Sequence, residues 1–263
     1  MYNNIITETD LGVGIITLNR PERHNAFDDA LIAELSDAVE RMTVDPAVRV
    51  IVISSTGKSF CAGADLNWMK RAAGYGNDEN LRDSRALAEM LRKLAQCPKP
   101  TMARIQGPAY GGGVGLVACC DVAIATFDAQ FSLTEVKLGL VPAVISPHVI
   151  AAIGERYARR YMLTAERFSA AEAYRIGLLH EIVTDAAALD EAVGEIVDAL
   201  LNNGPRALAE CKQLITAVAW KPLSPEVIED TAQRITRLRA SEEGREGMNA
   251  FLEKRKPNWI AQG

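Results

Sequence analysis

Residues 101–124 read TMARIQGPAYGGGVGLVACCDVAI. Thr101–Ile105 is short and apolar, as a strand buried on both faces is, and it runs straight into a glycine cluster at Gly107–Gly115 that opens a helix. Val122–Ala125 then reads as the next strand. Strand, glycine-rich turn, helix and strand in so few residues favour a right-handed parallel unit, with the loops at the strand C-termini gathered at one edge. A site is expected at that edge. Working outward, Arg49–Ser54 (RVIVIS) is a second buried parallel strand, and Ile5–Thr7 and Gly14–Leu18 are strands that open the chain. Asp28 stands as N-cap of an amphipathic helix to Met42, and Leu81–Leu94 is a further helix. After Gln130–Leu133 the chain turns irregular at Leu140–Pro147, with one brief strand at Glu181–Val183. Ala186–Phe251 is helical throughout, broken at Gly204-Pro205, Lys221-Pro222 and near Gly244. The expectation is an α/β fold over residues 1–195 followed by a helical C-terminal region over 196–263.

The composition narrows the function classes. In 263 residues, 48% hydrophobic content supports a packed core, and a net charge of −5 supplies no global basic field for nucleic acid or anionic membrane. The five cysteines (Cys61, Cys97, Cys119, Cys120 and Cys211) show no C-x-x-C and no zinc-ligand spacing, so no metal is expected and a reducing compartment is. MYNNIITETD carries neither a basic nor an apolar leader, which together with the thiols reads as cytoplasmic. No membrane span is expected, because the nearest approach, Gly107–Ala125, is glycine-rich and contains Pro108 and Asp121.

There is no G-x-S-x-G, H-E-x-x-H, Walker A or EF-hand sequence. Gly111–Gly115 fails the G-x-G-x-x-G spacing of a dinucleotide fingerprint. Two readings of that cluster stay open: an anion site built on unpaired N–H groups at a helix N-terminus, or tight helix–strand packing. Ser59–Leu66 (SFCAGADL) is a second corner of small residues after a strand and before a helix. If the N–H groups of Ala64 and Gly112 converge, they form a two-donor oxyanion hole for a thioester enolate or a tetrahedral oxyanion. Asp65 reads as the cap of the helix it precedes, Asp121 as a turn carboxylate and Cys61 as a packing residue.

These blocks, together with LNRPERHNAF at Leu18–Phe27, AQFSLTEVKLGLVP at Ala129–Pro142 and GMNAFLEKRKPNW near the C-terminus, resemble the enoyl-CoA hydratase/isomerase (crotonase) superfamily. The resemblance implies a spiral of ββα units with a helical C-terminal trimerisation region, in a homotrimer or a dimer of trimers. It implies oxyanion N–H groups at Ala64 and Gly112, and an acyl-CoA substrate whose coenzyme A is no separate cofactor. Arg23, Ala26, Ala62, Asp65 and Leu66 would lie along the coenzyme A path, with Phe251 and Lys254 reaching it from a neighbouring subunit.

Of the two glutamates used by hydratases of this family, the second is present as Glu135 and the first position holds Gly115. One carboxylate would then take a proton from water and return it to the α-carbon. Isomerisation of a 3-enoyl-CoA needs only one base and is the alternative; a non-catalytic acyl-CoA-binding protein is a third. The stretch Leu140–Phe168 is most similar to bacterial methylglutaconyl-CoA hydratases of leucine degradation, which places hydration first. Such a substrate carries a distal carboxylate, for which Lys137, Arg156 and Arg160 are candidate partners. His148 is either a second proton donor or an ordinary residue of a helix start.

Overall fold

The computed structural model describes residues 2–260. Its strands are β1 (Ile5–Asp10), β2 (Val13–Leu18), β3 (Val50–Ser55), β4 (Thr101–Ile105), β5 (Ala109–Tyr110), β6 (Val122–Thr126), β7 (Gln130–Ser132), β8 (Phe168–Ser169) and β9 (Glu181–Val183). The helices are α1 (Asp29–Val44), α2 (Leu66–Ala72), α3 (Asn77–Ala95), α4 (Gly112–Cys119), α5 (Ser146–Thr164), α6 (Ala170–Arg175), α7 (Ala186–Leu201), α8 (Pro205–Val218), α9 (Pro225–Arg239) and α10 (Glu242–Leu252). The main sheet runs β1-β2-β3-β4-β6-β9, with β1 antiparallel to β2 and the other pairs parallel. A smaller sheet, β5-β7-β8, collects the short strands that follow β4 and β6. The α/β expectation therefore holds, and helix follows strand pairs as in a ββα spiral.

The apolar runs are continuous because the main sheet is covered on both sides. Ile51, Ile53, Ala103, Ile105, Ala123 and Ala125 point into the larger core with Leu31, Leu35, Met90 and Leu116. Their alternates Val50, Val52, Met102 and Ile124 meet Leu189, Ala192, Val193 and Val197 of α7. The helix α7 runs across residue 195, so the change from sheet-bound to peripheral helices falls at Asn202–Gly204, before the Pro205 that opens α8.

Capping explains the helix starts. Asp28 accepts the Leu31 N–H at 2.9 Å, and Asp65 accepts those of Asn67 and Trp68 at 2.8 and 3.1 Å. The start of α3 lies four residues before the expected Leu81, because its first turn is polar and is held by Glu79, which accepts the Gly76 N–H at 2.9 Å. The last break falls at Ala240-Ser241 instead of near Gly244, whose N–H donates to the Ser241 hydroxyl at 3.1 Å. Asp121 is the turn carboxylate that was expected: it accepts from the Thr101 N–H and hydroxyl and pairs with Lys212, which ties α8 to the edge of β4.

In α8–α10 Ala250 is the one buried residue among the described ones, while Ile215, Ile228, Ile235, Met248, Phe251 and Leu252, with Trp220 and Leu223 between α8 and α9, are exposed. No helix among the described residues is long and apolar enough to cross a membrane.

Candidate active site

Three loops after strand C-termini meet at one edge of the main sheet. The loop after β3 is stitched to the segment before α4: the Phe60 N–H donates to Pro108 O at 3.0 Å and the Tyr110 N–H to Cys61 O at 2.9 Å. The loop after β2 joins them through Phe27, which donates to Gly63 O at 2.6 Å and accepts from the Asp65 N–H at 2.8 Å. This parallel bridge steps over Ala64, so the Ala64 N–H is not used by Phe27. The Gly112 N–H begins α4 and has no partner one turn back within the helix. Among the described residues, neither N–H donates to a protein oxygen.

Glycine geometry brings these two groups together. Gly63 has φ +88°, and a Cβ there would stand 2.9 Å from Tyr110 O and 3.7 Å from the Gly112 nitrogen. The corner preceding Ala64 therefore rests directly on the start of α4, as glycine alone permits. Gly111, at φ +49°, leaves room for Glu135: a Cβ there would lie 3.1 Å from Glu135 Oε1. The Glu135 carboxyl thus stands one residue from the Gly112 N–H, on the turn Glu135–Leu138 that follows β7. Its Oε2 is buried without a hydrogen-bond partner among the described residues. Burial pushes its carboxyl above the ordinary glutamate value, with its own backbone N–H working the other way. A pair of free N–H groups beside a protonatable, desolvated carboxyl can hold an oxyanion and move a proton next to it.

Gly115 is not open space. A Cβ there would lie 2.7 Å from Ile145 Cβ and nearer still to Cγ2, so Ile145 fills the place that a side chain at 115 would need. His148 lies in the first turns of α5, half-buried, with its imidazole pKa lowered by burial. Cys61 is fully buried and burial pushes its thiol up to about 12, as befits a packing residue.

The structure gathers five of the expected coenzyme A residues. The Ala62 N–H donates to His24 O at 3.0 Å, the Arg23 Nη1 donates to Asp65 Oδ2 at 3.0 Å, Ala26 is buried beneath them and Leu66 is exposed beside them. Phe251 and Lys254 lie elsewhere, at the end of α10, which packs chiefly on α8 and α9. Both oxygens of Asp65 are engaged within the chain, Oδ1 by the cap and Oδ2 by Arg20 and Arg23. Burial opposes its charge, but the Trp68 N–H, the Arg23 guanidinium and the Asn67 N–H outweigh it and hold the carboxyl below the usual range.

Arg20 is the residue that motif reading passed over. It is buried, pairs with Asp28 at 2.8 Å and Asp65 at 3.4 Å, and donates to Ala26 O at 2.9 Å. It thereby clamps the caps of α1 and α2 together around Ala64. The signal was its place directly before Pro21, ahead of two capping aspartates. Replacing Arg20 with Met takes the cation from half-buried Asp28 and one of two from buried Asp65, and should cost about 3 kcal/mol, read as a lowered urea midpoint at unchanged slope. A midpoint shift smaller than a third of that would show the clamp to be dispensable.

The sequence profile of the enoyl-CoA hydratase/isomerase family matches residues 8–262. The chain is 34% identical to the crotonyl-CoA hydratase of Syntrophomonas wolfei, over 99% of each chain. It is 31% identical to the 2,3-dehydroadipyl-CoA hydratase of Escherichia coli, over 98% of each. The crystal structure of an enoyl-CoA hydratase from Shewanella pealeana superposes with a TM-score of 0.95 at 43% identity, covering 98% of this chain and 96% of that one. The fold and the site define an α/β protein with paired backbone donors beside a buried carboxyl. The chain belongs to the enoyl-CoA hydratase/isomerase family, and its fold is the crotonase fold.

Proposed function

We propose that this chain hydrates a 2-enoyl-CoA, with the N–H groups of Ala64 and Gly112 holding the thioester oxygen and Glu135 moving the proton. The observation that carries it is the Glu135 carboxyl seated in the notch of Gly111, one residue from the Gly112 N–H. Glu135 takes a proton from water as the water oxygen bonds to the β-carbon. The π electrons move onto the thioester oxygen, giving an enolate that the two N–H groups stabilise. The protonated Glu135 then returns its proton to the α-carbon, so H and OH add across the double bond and the enzyme is restored. This sequence calls on no cofactor or metal; coenzyme A enters as part of the substrate.

Arg23 supplies a cation for the phosphates of coenzyme A, positioned by Asp65, while Ala26, Ala62 and Leu66 line its path. Phe251 and Lys254 join from a neighbouring copy in a trimer or dimer of trimers, an assembly that would cover the apolar faces of α8–α10. The two named relatives are both hydratases yet carry different acyl names, so the acyl group is read from the chain itself. We assign 3-methylglutaconyl-CoA on the similarity of Leu140–Phe168. Of the cations considered for its distal carboxylate, Arg160 is already paired with Glu166 at 2.7 Å, whereas Lys137 is exposed on the Glu135 turn.

A second reading is favoured by one observation. With Ile145 filling the space at Gly115, position 115 carries no second carboxylate, and shuttling a proton between the α- and γ-carbons of a 3-enoyl-CoA needs only one. Purified protein assayed with crotonyl-CoA, 3-methylglutaconyl-CoA and 3-hexenoyl-CoA separates the readings. Loss of conjugated-thioester absorbance fastest with 3-methylglutaconyl-CoA is expected; a gain with 3-hexenoyl-CoA alone makes the chain an isomerase. Silence with all three overturns both.

A further inference from the structure

We propose that Ile145 is a positioning residue for Glu135: it plugs the second notch of α4, keeps that side of the carboxyl dry and limits the site to one acid. The inference rests on the hydratase reading above for its catalytic consequence, although its contact does not. Gly111 and Gly115 stand one turn apart, with the Gly115 N–H donating to Gly111 O at 3.3 Å. A Cβ on the first would meet Glu135 Oε1, and a Cβ on the second would meet Ile145. The start of α4 therefore presents two adjoining notches, one filled by a carboxyl and the next by a branched alkyl group. Both occupants come from one stretch, since Glu135 opens the turn and Ile145 precedes α5, which packs against that turn and against α4.

Ile145 is 2% exposed. A branched aliphatic side chain there excludes water from the side of α4 adjoining Glu135, whose Oε2 is itself buried without a protein partner among the described residues. The titratable groups on the elements around Glu135 are Lys137 on its own turn, Tyr110 on β5, Cys119 on α4 and, on α5, His148 in the first turn with Glu155, Arg156, Tyr157, Arg159, Arg160 and Tyr161 beyond it. None of them is among the causes that displace the Glu135 carboxyl, which are burial and its own N–H. Burial, and not a charged neighbour, is thus what raises its proton affinity, and Ile145 supplies the part of that burial beside Gly115. The same contact makes any side chain at position 115 incompatible with Ile145, so a second acid cannot be gained by one substitution.

The test combines a melting cycle with a pH profile. Gly115→Ala should lower the melting temperature by about 3 °C or more in the wild type, and by less than half as much when introduced into the Ile145→Ala background. Ile145→Ala alone should wet the notch and move the acid limb of kcat/KM down by about half a pH unit, whereas Ile145→Val should leave it in place. Additive melting losses, or an unmoved acid limb, would overturn the assignment. The limb can also be read without turnover, from the pH at which Glu135→Gln begins to alter melting in the wild-type and Ile145→Ala backgrounds. If no thioester is turned over, the hydratase reading fails while that comparison still decides the role of Ile145.

Discussion

Glu135→Gln should lower kcat by roughly 10²- to 10⁴-fold, the usual worth of a positioned acid–base group, while leaving affinity for coenzyme A thioesters and the fold intact. The same change should raise stability, and the sign follows from burial. Desolvation places the folded-state pKa of Glu135 above its ordinary value of 4.5, so the folded chain favours the protonated carboxyl. The contribution of the neutral acid to stability is fully present below 4.5 and is lost as pH rises through the raised folded value. Glutamine cannot ionise and escapes that loss. Melting curves from pH 4 to 8 should therefore show the variant gaining on the wild type across that window and keeping its lead above it. A variant that turns over within tenfold of wild type, or that melts lower at neutral pH, would remove Glu135 from the role given to it. This pairing of lost turnover with gained stability separates a catalytic acid from a structural one, since a carboxylate kept for its ion pairs would weaken the fold when neutralised.

Much of this arrangement was legible in the sequence because it is written in residues whose physics is local. Aspartates at 28 and 65 mark helix starts by capping, and the β-branched run at Val50–Ser55 marks a strand covered on both faces. The small sheet was less legible. Its strand β5 is two residues long and lies between Pro108 and Gly111, where composition reads only as a turn. Its hydrogen bonds are made to β7, more than twenty residues away, so no local pattern announces it. The approach of the corner before Ala64 to the Gly112 nitrogen was likewise a question that spacing could pose and not answer. It depends on the bridge through Phe27, which neither glycine motif contains. Arg20 went unread for the same reason, since its two aspartates are brought to it by separate helices. Ile145 stood in a segment read as irregular, and its partner is a glycine, which has no side chain to advertise a contact.

Gly113→Ala should damage turnover and stability together. The residue faces away from Glu135, toward the other side of the donor pair: a Cβ on Gly113 would lie 3.0 Å from Cys61 Cβ and closer to the Cys61 carbonyl, which already accepts the Tyr110 N–H. To admit the methyl, the start of α4 must move off the loop that carries Ala64. Overpacking of this kind typically costs about 1–3 kcal/mol of stability. The catalytic cost should be larger, because the two N–H groups sit on opposite sides of the seam that opens. Losing one properly placed oxyanion donor usually lowers kcat by about 10²- to 10³-fold, and that is the loss expected here. It should appear in kcat more than in KM, and affinity for a coenzyme A thioester that ionises to an enolate should fall further than affinity for the substrate. The control is Gly194→Ala on α7, where an added Cβ meets nothing within 4 Å. There the methyl should leave kcat unchanged and raise stability by roughly 0.5–1 kcal/mol, as alanine does for glycine inside a helix. If Gly113→Ala kept its kcat while melting lower, the seam would be merely packing, and the oxyanion would have to be held by donors other than Ala64 and Gly112.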